Sequence, residues 1–130
     1  MIRNKNLALA ALTLAFVGGT VSQSMAQQID VAISPTKSRY ARGERINVVV
    51  VVRDWWGYRC PGAAACLQED ITSVGITRWS AIQFTNRAGE TRFAYTVPTN
   101  TSYDNIYFTG WGNVYGNWAP SQRLRLPIGR

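Results

Sequence analysis

The chain has 130 residues, 46% of them hydrophobic, which is enough for one modest hydrophobic core and one domain. It contains no histidine and only two cysteines, so a Ser–His–Asp or Cys–His catalytic device is excluded, and we expect no zinc site, no cofactor and no enzymatic activity. Its net charge of +7 comes mostly from arginine, which suits an anionic partner but is also typical of solvated strand surfaces.

Residues 1–26 have the features of a bacterial signal peptide. Two basic residues precede an apolar run over residues 7–17, which has the length of a signal h-region and is too short to span a membrane. Ser24 and Ala26 place small side chains ahead of a cleavage site after Ala26. We therefore expect a periplasmic or secreted protein whose mature chain, residues 27–130, is one domain without a membrane span.

Apolar residues recur at every second position through most of the mature chain, which predicts short β-strands. The first strand carries Ile29, Val31 and Ile33 on one face. A continuous run of valines over residues 48–52 predicts a second, central strand that is buried on much of both faces. Further strands are expected around residues 74–76, 82–84, 93–97, 106–108 and 124–128.

Turn residues separate these strands. Residues 86–89, with the sequence Asn-Arg-Ala-Gly, are the strongest hairpin signal in the chain, and residues 98–102 predict a loop. About seven short strands with such spacing predict a single antiparallel two-sheet sandwich, with a small barrel as the alternative.

Tyr40, followed by Gly43 and Glu44, precedes the second predicted strand, and Asp54 and Gly57 follow it. This arrangement resembles a pattern found in bacterial immunoglobulin-like and macroglobulin-like domains. In that pattern a Tyr and then Gly-Glu precede a strand of alternating apolar residues, which an Asp and a Gly close. The resemblance implies an immunoglobulin-like sandwich but no particular activity, because such folds host many unrelated functions. The matching residues here are Tyr40, Gly43, Glu44, Asp54 and Gly57, with residues 93–98 similar to a downstream strand.

Cys60 and Cys66 are the only cysteines, and in an oxidising compartment we expect them to form a disulfide. The intervening residues 61–65 are Pro, Gly and three alanines, which are small and do not suggest a core element. We therefore expect the bond to rigidify a protruding loop rather than to join two sheets.

Two segments rich in Gly, Asn and aromatic residues hold more tryptophan than a sandwich core requires. Trp and Tyr in loops present a flat apolar face with a polar edge, which suits sugar rings and protein partners. Two interpretations remain open: a binding patch at one end of the sandwich, or rings that fold back to plug its ends. The candidate binding residues are Trp55, Trp56, Tyr58, Trp111, Tyr115 and Trp118, with Arg53, Arg59 and Asp54 as polar neighbours.

Three classes of function remain open, and none involves nucleic acid, which an exported chain does not normally meet. The first is a non-catalytic binding module that recognises an envelope glycan or protein through its aromatic loops. The second is a periplasmic inhibitor or immunity-type protein that inserts the disulfide-clamped loop into a target enzyme. The third is a structural subunit of a surface appendage or matrix that self-associates through a strand edge.

Overall fold

The computed structural model describes residues 28–129, so the predicted signal peptide lies outside the described residues. In this range the chain forms nine β-strands and no helix. The strands are β1 (Gln28–Ser34), β2 (Arg45–Arg53), β3 (Ala64–Ile71), β4 (Ile76–Trp79), β5 (Gln83–Phe84), β6 (Glu90–Thr96), β7 (Ile106–Val114), β8 (Asn117–Pro120) and β9 (Leu124–Arg125).

The strands form two antiparallel sheets that face each other. One sheet has three strands in the order β1–β2–β6. The other has six strands: β4–β3–β7–β8 follow one another, β5 pairs with β3, and β9 pairs with β7. The predicted all-β sandwich is confirmed at this level.

The core lies between the sheets and is built from alternate residues of the long strands. In β2, Val48, Val50 and Val52 are fully buried. Val49 is also buried and Val51 is half-buried, as the run of valines predicts for a central strand. The largest fully buried side chains from the other sheet are Phe108, Ile71 and Ile106.

Glycines in β7 allow the two sheets to pack closely. A Cβ atom on Gly112 would lie 2.6 Å from Ile29 Cδ1 and 2.8 Å from Val52 Cγ2. A Cβ atom on Gly110 would lie 3.0 Å from Val50 Cγ2. The prediction that the Gly- and Asn-rich segment around Trp111 is a loop is wrong: β7 continues to Val114, and its inward positions 110 and 112 need the smallest residue.

Strand β3 was not predicted, because a carboxylate occupies one of its inward positions. Glu69 is only 7% exposed and breaks the alternation of apolar residues. It accepts a hydrogen bond from Arg78 Nε at 2.8 Å and another from the Tyr95 hydroxyl on β6. Burial and the bond to Glu69 both raise the pKa of Tyr95. A polar contact between the sheets thus replaces an apolar one.

The turn at residues 86–89 forms as predicted but does not close a hairpin. The Gly89 N–H donates to the Asn86 carbonyl at 2.9 Å. Strand β5 before the turn pairs with β3, whereas β6 after it pairs with β2. The turn therefore carries the chain from one sheet to the other.

The segment before β2 is fastened by the residues that carry the family resemblance. Tyr40 is buried, and its hydroxyl donates to the Pro35 carbonyl at 2.6 Å. The Glu44 carboxylate accepts from the Lys37 ammonium at 2.8 Å and from the Ala41 N–H at 2.9 Å. These two bonds lower the pKa of Glu44.

Candidate binding surfaces

The six-stranded sheet turns one face to the core and the other to solvent. The even-numbered residues of β3 point outward, so residues registered opposite them share the solvent face. Five residues on this face are large and aromatic, and we call the surface the aromatic sheet face. They are Trp79, Phe84, Tyr107, Trp111 and Trp118, which pair with Gln68, Ala64, Asp70, Cys66 and Asn113.

Trp79 and Trp111 form the centre of the aromatic sheet face. Their ring centroids lie 5.9 Å apart, and the ring planes are inclined by 48°. The Trp111 Nε1–H donates to Gln68 Oε1 at 2.9 Å, which holds the indole in one orientation. Trp79 is 57% exposed and Phe84 is 68% exposed, so both rings are accessible to a ligand.

Polar side chains lie beside these rings. Asp70 accepts hydrogen bonds from Thr77 Oγ1 at 2.6 Å and from Gln68 Nε2 at 3.1 Å. Together with Thr109 and Arg123 these residues line a shallow cavity of about 410 Å³. The face therefore combines flat apolar rings with fixed hydrogen-bonding groups, as sites for amphipathic ligands do.

A second aromatic cluster lies at one end of the sandwich, where the loop after β2 meets the turn between β7 and β8. The Trp55 and Tyr115 ring centroids are 6.0 Å apart, edge to face. Trp56 and Tyr58 are exposed, and their backbone N–H groups both donate to Asp54 Oδ1 at 2.9 Å. This loop-end cluster projects its rings into solvent and does not plug the core.

The two arginines expected beside the aromatic residues bind other groups. Arg53 forms an ion pair with Asp30 on the neighbouring strand. Arg59 donates to the Ala88 carbonyl at 2.9 Å and to the Glu90 carboxylate at 3.2 Å. Arg53 therefore joins β2 to β1, and Arg59 joins the loop after β2 to residues 88–90. Both guanidinium groups are held by these partners rather than by the exposed rings.

The structure thus divides the six predicted aromatic residues between two surfaces. Trp111 and Trp118 lie on the aromatic sheet face, whereas the other four form the loop-end cluster. Trp79, Phe84 and Tyr107 were not among the predicted binding residues. Phe84 falls in the strand predicted around residues 82–84, whereas the strand predicted around residues 74–76 stops short of Trp79, although Thr77 and Trp79 show the period-two spacing of a strand.

Cys60 and Cys66 are free thiols, so the predicted disulfide is not formed. Cys66 lies at an outward position of β3, whereas Cys60 packs against the core and its thiol donates to the Tyr58 carbonyl at 3.6 Å. Burial raises the pKa of both thiols. The expectation of a protruding loop is also wrong, because residues 64–66 belong to β3 and Ala65 is fully buried.

The acidic residues do not form a shared site. Glu69 points into the core and Asp70 points to solvent, as neighbours on a strand must. Within residues 28–129 no group of three or more metal-ligating side chains comes together. In the same range, no helix has the length and apolar character that crossing a membrane requires.

Comparison with known proteins gives a weak structural likeness. The sequence matches no family model, and no curated protein matches it. Among solved structures, the sporulation control protein Spo0M from Bacillus subtilis is 14% identical, with a TM-score of 0.46. The alignment covers 81% of this chain and 50% of the Spo0M chain, so this chain spans about half of that protein.

Proposed function

We propose that this chain is an exported, non-catalytic binding module that recognises an envelope glycan through the aromatic sheet face. The observation that carries the proposal is the contact between the exposed Trp79 and the half-buried Trp111, which lies beside fixed polar side chains on a sheet. Contiguous exposed apolar surface of this kind marks interaction sites in soluble proteins.

The chemistry of the face matches that of a sugar ring. A pyranose presents C–H groups on its faces, which pack on an indole, and hydroxyl groups around its edge, which need hydrogen-bonding partners. Such partners are at hand: Gln68 pairs directly with Trp79, and the pair Asp70 and Thr77 lies two residues further along the same two strands. A face with rings alone would suit any apolar partner, whereas this mixture favours a polyhydroxylated one.

Rigid placement also supports binding. The aromatic residues stand on paired strands rather than on mobile loops, and the Trp111 indole is fixed by Gln68. A ligand that binds a preorganised face loses less free energy to the ordering of side chains.

Binding to arrays of envelope polysaccharides, followed by titration of the strongest ligand, tests this function. We expect Trp79→Ala and Trp111→Ala each to weaken binding by about tenfold or more, the usual effect of truncating a central aromatic anchor. Trp56→Ala is the matched control, since it removes an exposed indole from the loop-end cluster. Loss of binding in Trp56→Ala alone would move the site to that cluster, and the absence of any glycan ligand would refute the proposal.

Self-association through a strand edge is the second function that an observation favours. Strand β1 lies at the edge of the three-stranded sheet, and its outer edge has no partner strand among residues 28–129. Such an edge can pair with a strand of another molecule. Light scattering over a range of concentrations tests this function, and a monomer at every concentration would exclude it.

We infer further that the sandwich is immunoglobulin-like. The order β1–β2–β6 facing β3–β7–β8 corresponds to strands A–B–E facing C–F–G in such domains. Strands β4 and β5 pair with β3, so the fourth strand of the first sheet in a constant-type domain has no counterpart among the described residues. An experimental structure with another strand order would contradict this relationship.

A further inference from the structure

A basic cavity lies at the end of the sandwich opposite the loop-end cluster. It has a volume of about 600 Å³, in the range of small-ligand sites, and three chain segments enclose it: residues 37–42, residues 101–104 and residues 125–129. We call it the basic end cavity. Its charged lining residues are Lys37, Arg39, Arg42, Arg125 and Asp104.

Two of these cations already have fixed partners, with different consequences for charge. Lys37 pairs with the Glu44 carboxylate, so its charge is offset. Within residues 28–129, Arg42 donates only to neutral backbone carbonyls, which fix its guanidinium but leave its charge uncompensated. These carbonyls belong to Pro98, Asn100 and Tyr103, at 3.1, 3.1 and 3.0 Å.

The other two cations are available. Arg39 is exposed and has no ion-pair partner among residues 28–129, and its side chain packs beside Gly129. Arg125 makes one long contact of 3.5 Å, from its Nη2 to the amide oxygen of Asn105. The single acid in the lining, Asp104, offsets one of the three arginines, so the cavity keeps an excess of two positive charges.

From this arrangement we propose that the basic end cavity binds a dianionic phosphate group. A phosphate at neutral pH carries close to two negative charges and offers three acceptor oxygens, which match guanidinium groups in charge and in geometry. Arg39 and Arg125 bind the oxygens, and Arg42 supplies a fixed positive charge behind them. The site is separate from the aromatic sheet face, so it stands or falls independently of the glycan proposal.

Titration of the full exported chain with inorganic phosphate at low ionic strength, followed by calorimetry or amide chemical shifts, tests the site. We expect saturable binding that Arg39→Ala and Arg125→Ala each weaken about tenfold, and that Asp104→Asn strengthens about twofold. Arg92→Ala is the matched control, because Arg92 is exposed on β6 opposite Val49, does not line the cavity, and has no ion pair among the described residues.

Equal weakening by Arg92→Ala and Arg39→Ala would show a general effect of net charge and overturn the proposal, as would a titration that does not saturate. A second titration, with glucose 6-phosphate, distinguishes the source of the group. Equal affinity for both ligands supports a site for free phosphate, and tighter binding of the sugar phosphate supports a site for a phosphorylated glycan. Binding of glucose 6-phosphate that Arg39→Ala leaves unchanged would overturn the proposal.

Discussion

Trp55 and Tyr115 meet edge to face, with ring centroids 6.0 Å apart and ring planes at 75°. The contact joins the loop after β2, in the three-stranded sheet, to the turn between β7 and β8, in the six-stranded sheet. Tyr115 sits there with φ at 54°, a left-handed conformation that side chains other than Gly, Asn and Asp rarely adopt. Tyr115 therefore combines an exposed ring with an unfavourable backbone conformation.

Replacement of Tyr115 tests whether the backbone strain at this position costs as much stability as the ring contact with Trp55 contributes. Tyr115→Asn relieves the left-handed strain but loses the contact with Trp55, and each effect is about 1 kcal/mol, so we expect little change in the free energy of unfolding. Tyr115→Val loses the contact and increases the strain, and should lower stability by about 1–2 kcal/mol relative to Tyr115→Asn. Urea denaturation measures both, and equal stability of the two variants would contradict the strain.

Because the two sheets pack closely at β7, we expect an alanine at position 112 to lower stability more than an alanine at position 110. Gly112→Ala places a methyl group 2.6 Å from Ile29 Cδ1, so we expect a loss of about 1–3 kcal/mol through overpacking. Gly110→Ala should cost less, because its nearest neighbour, Val50 Cγ2, lies at 3.0 Å. Thermal and urea denaturation of the two variants provide the check. A Gly112→Ala protein as stable as the parent would mean that the sheets are not so closely packed.

The contact between Glu69 and Tyr95 should contribute to stability across the sandwich. Tyr95→Phe removes the hydroxyl but keeps the ring, which packs edge to face on Phe108 with centroids 4.9 Å apart. We expect a loss of about 1.5–3 kcal/mol, the usual range for a hydrogen bond to a charged group. In a double-mutant cycle, Glu69→Gln should lose much of its effect once Tyr95 is Phe. Additive effects would argue against the bond.

Stability should depend on pH through Glu44. Its pKa is lowered below the ordinary value of 4.5, chiefly by the hydrogen bond from Lys37 and then by that from Ala41. A lowered folded-state pKa contributes stability that is present above pH 4.5 and is lost as the pH falls through the folded value. The difference in Tm between the parent and Glu44→Gln should therefore shrink between pH 5 and pH 3, a window that follows from the carboxyl pKa. The difference in Tm that Glu44→Gln causes should shrink less over this pH range when both proteins also carry Lys37→Met, because Lys37 contributes most to the lowered pKa of Glu44.

The two cysteines should behave as protonated, partly shielded thiols at neutral pH, because burial raises the pKa of both above the ordinary value of 9.0. Titration with a thiol reagent in denaturant, without reductant, should count two thiols, and a reducing agent should leave the Tm unchanged. A count of zero, with a Tm lowered by the reductant, would restore the disulfide that the sequence predicts.

The candidate sites were predictable only in part. The Trp and Tyr side chains of the Gly- and Asn-rich segments left two interpretations open, an exposed patch or rings that plug the ends of the sandwich, and five of the six are exposed. The hypothesis that they form one patch was wrong. Residues 110–114 look like a Gly-rich loop in the sequence, but they belong to β7 and alternate between its inward and outward faces. Arg39 and Arg125 gave no local signal, since nothing in the sequence brings the segment before β2 beside the last strand.

The class of fold follows from the amino-acid sequence alone. The alternation of apolar residues is a local property, and it specified β1 within one residue and β2 and β6 within three, because each strand needs one buried face. Which strands pair, and therefore which side chains share a face, was decided only by the tertiary structure. Glu69 shows the reason: its inward position is tolerated because Tyr95, on the opposite sheet, satisfies it, and a contact between distant segments leaves no periodic trace in the chain.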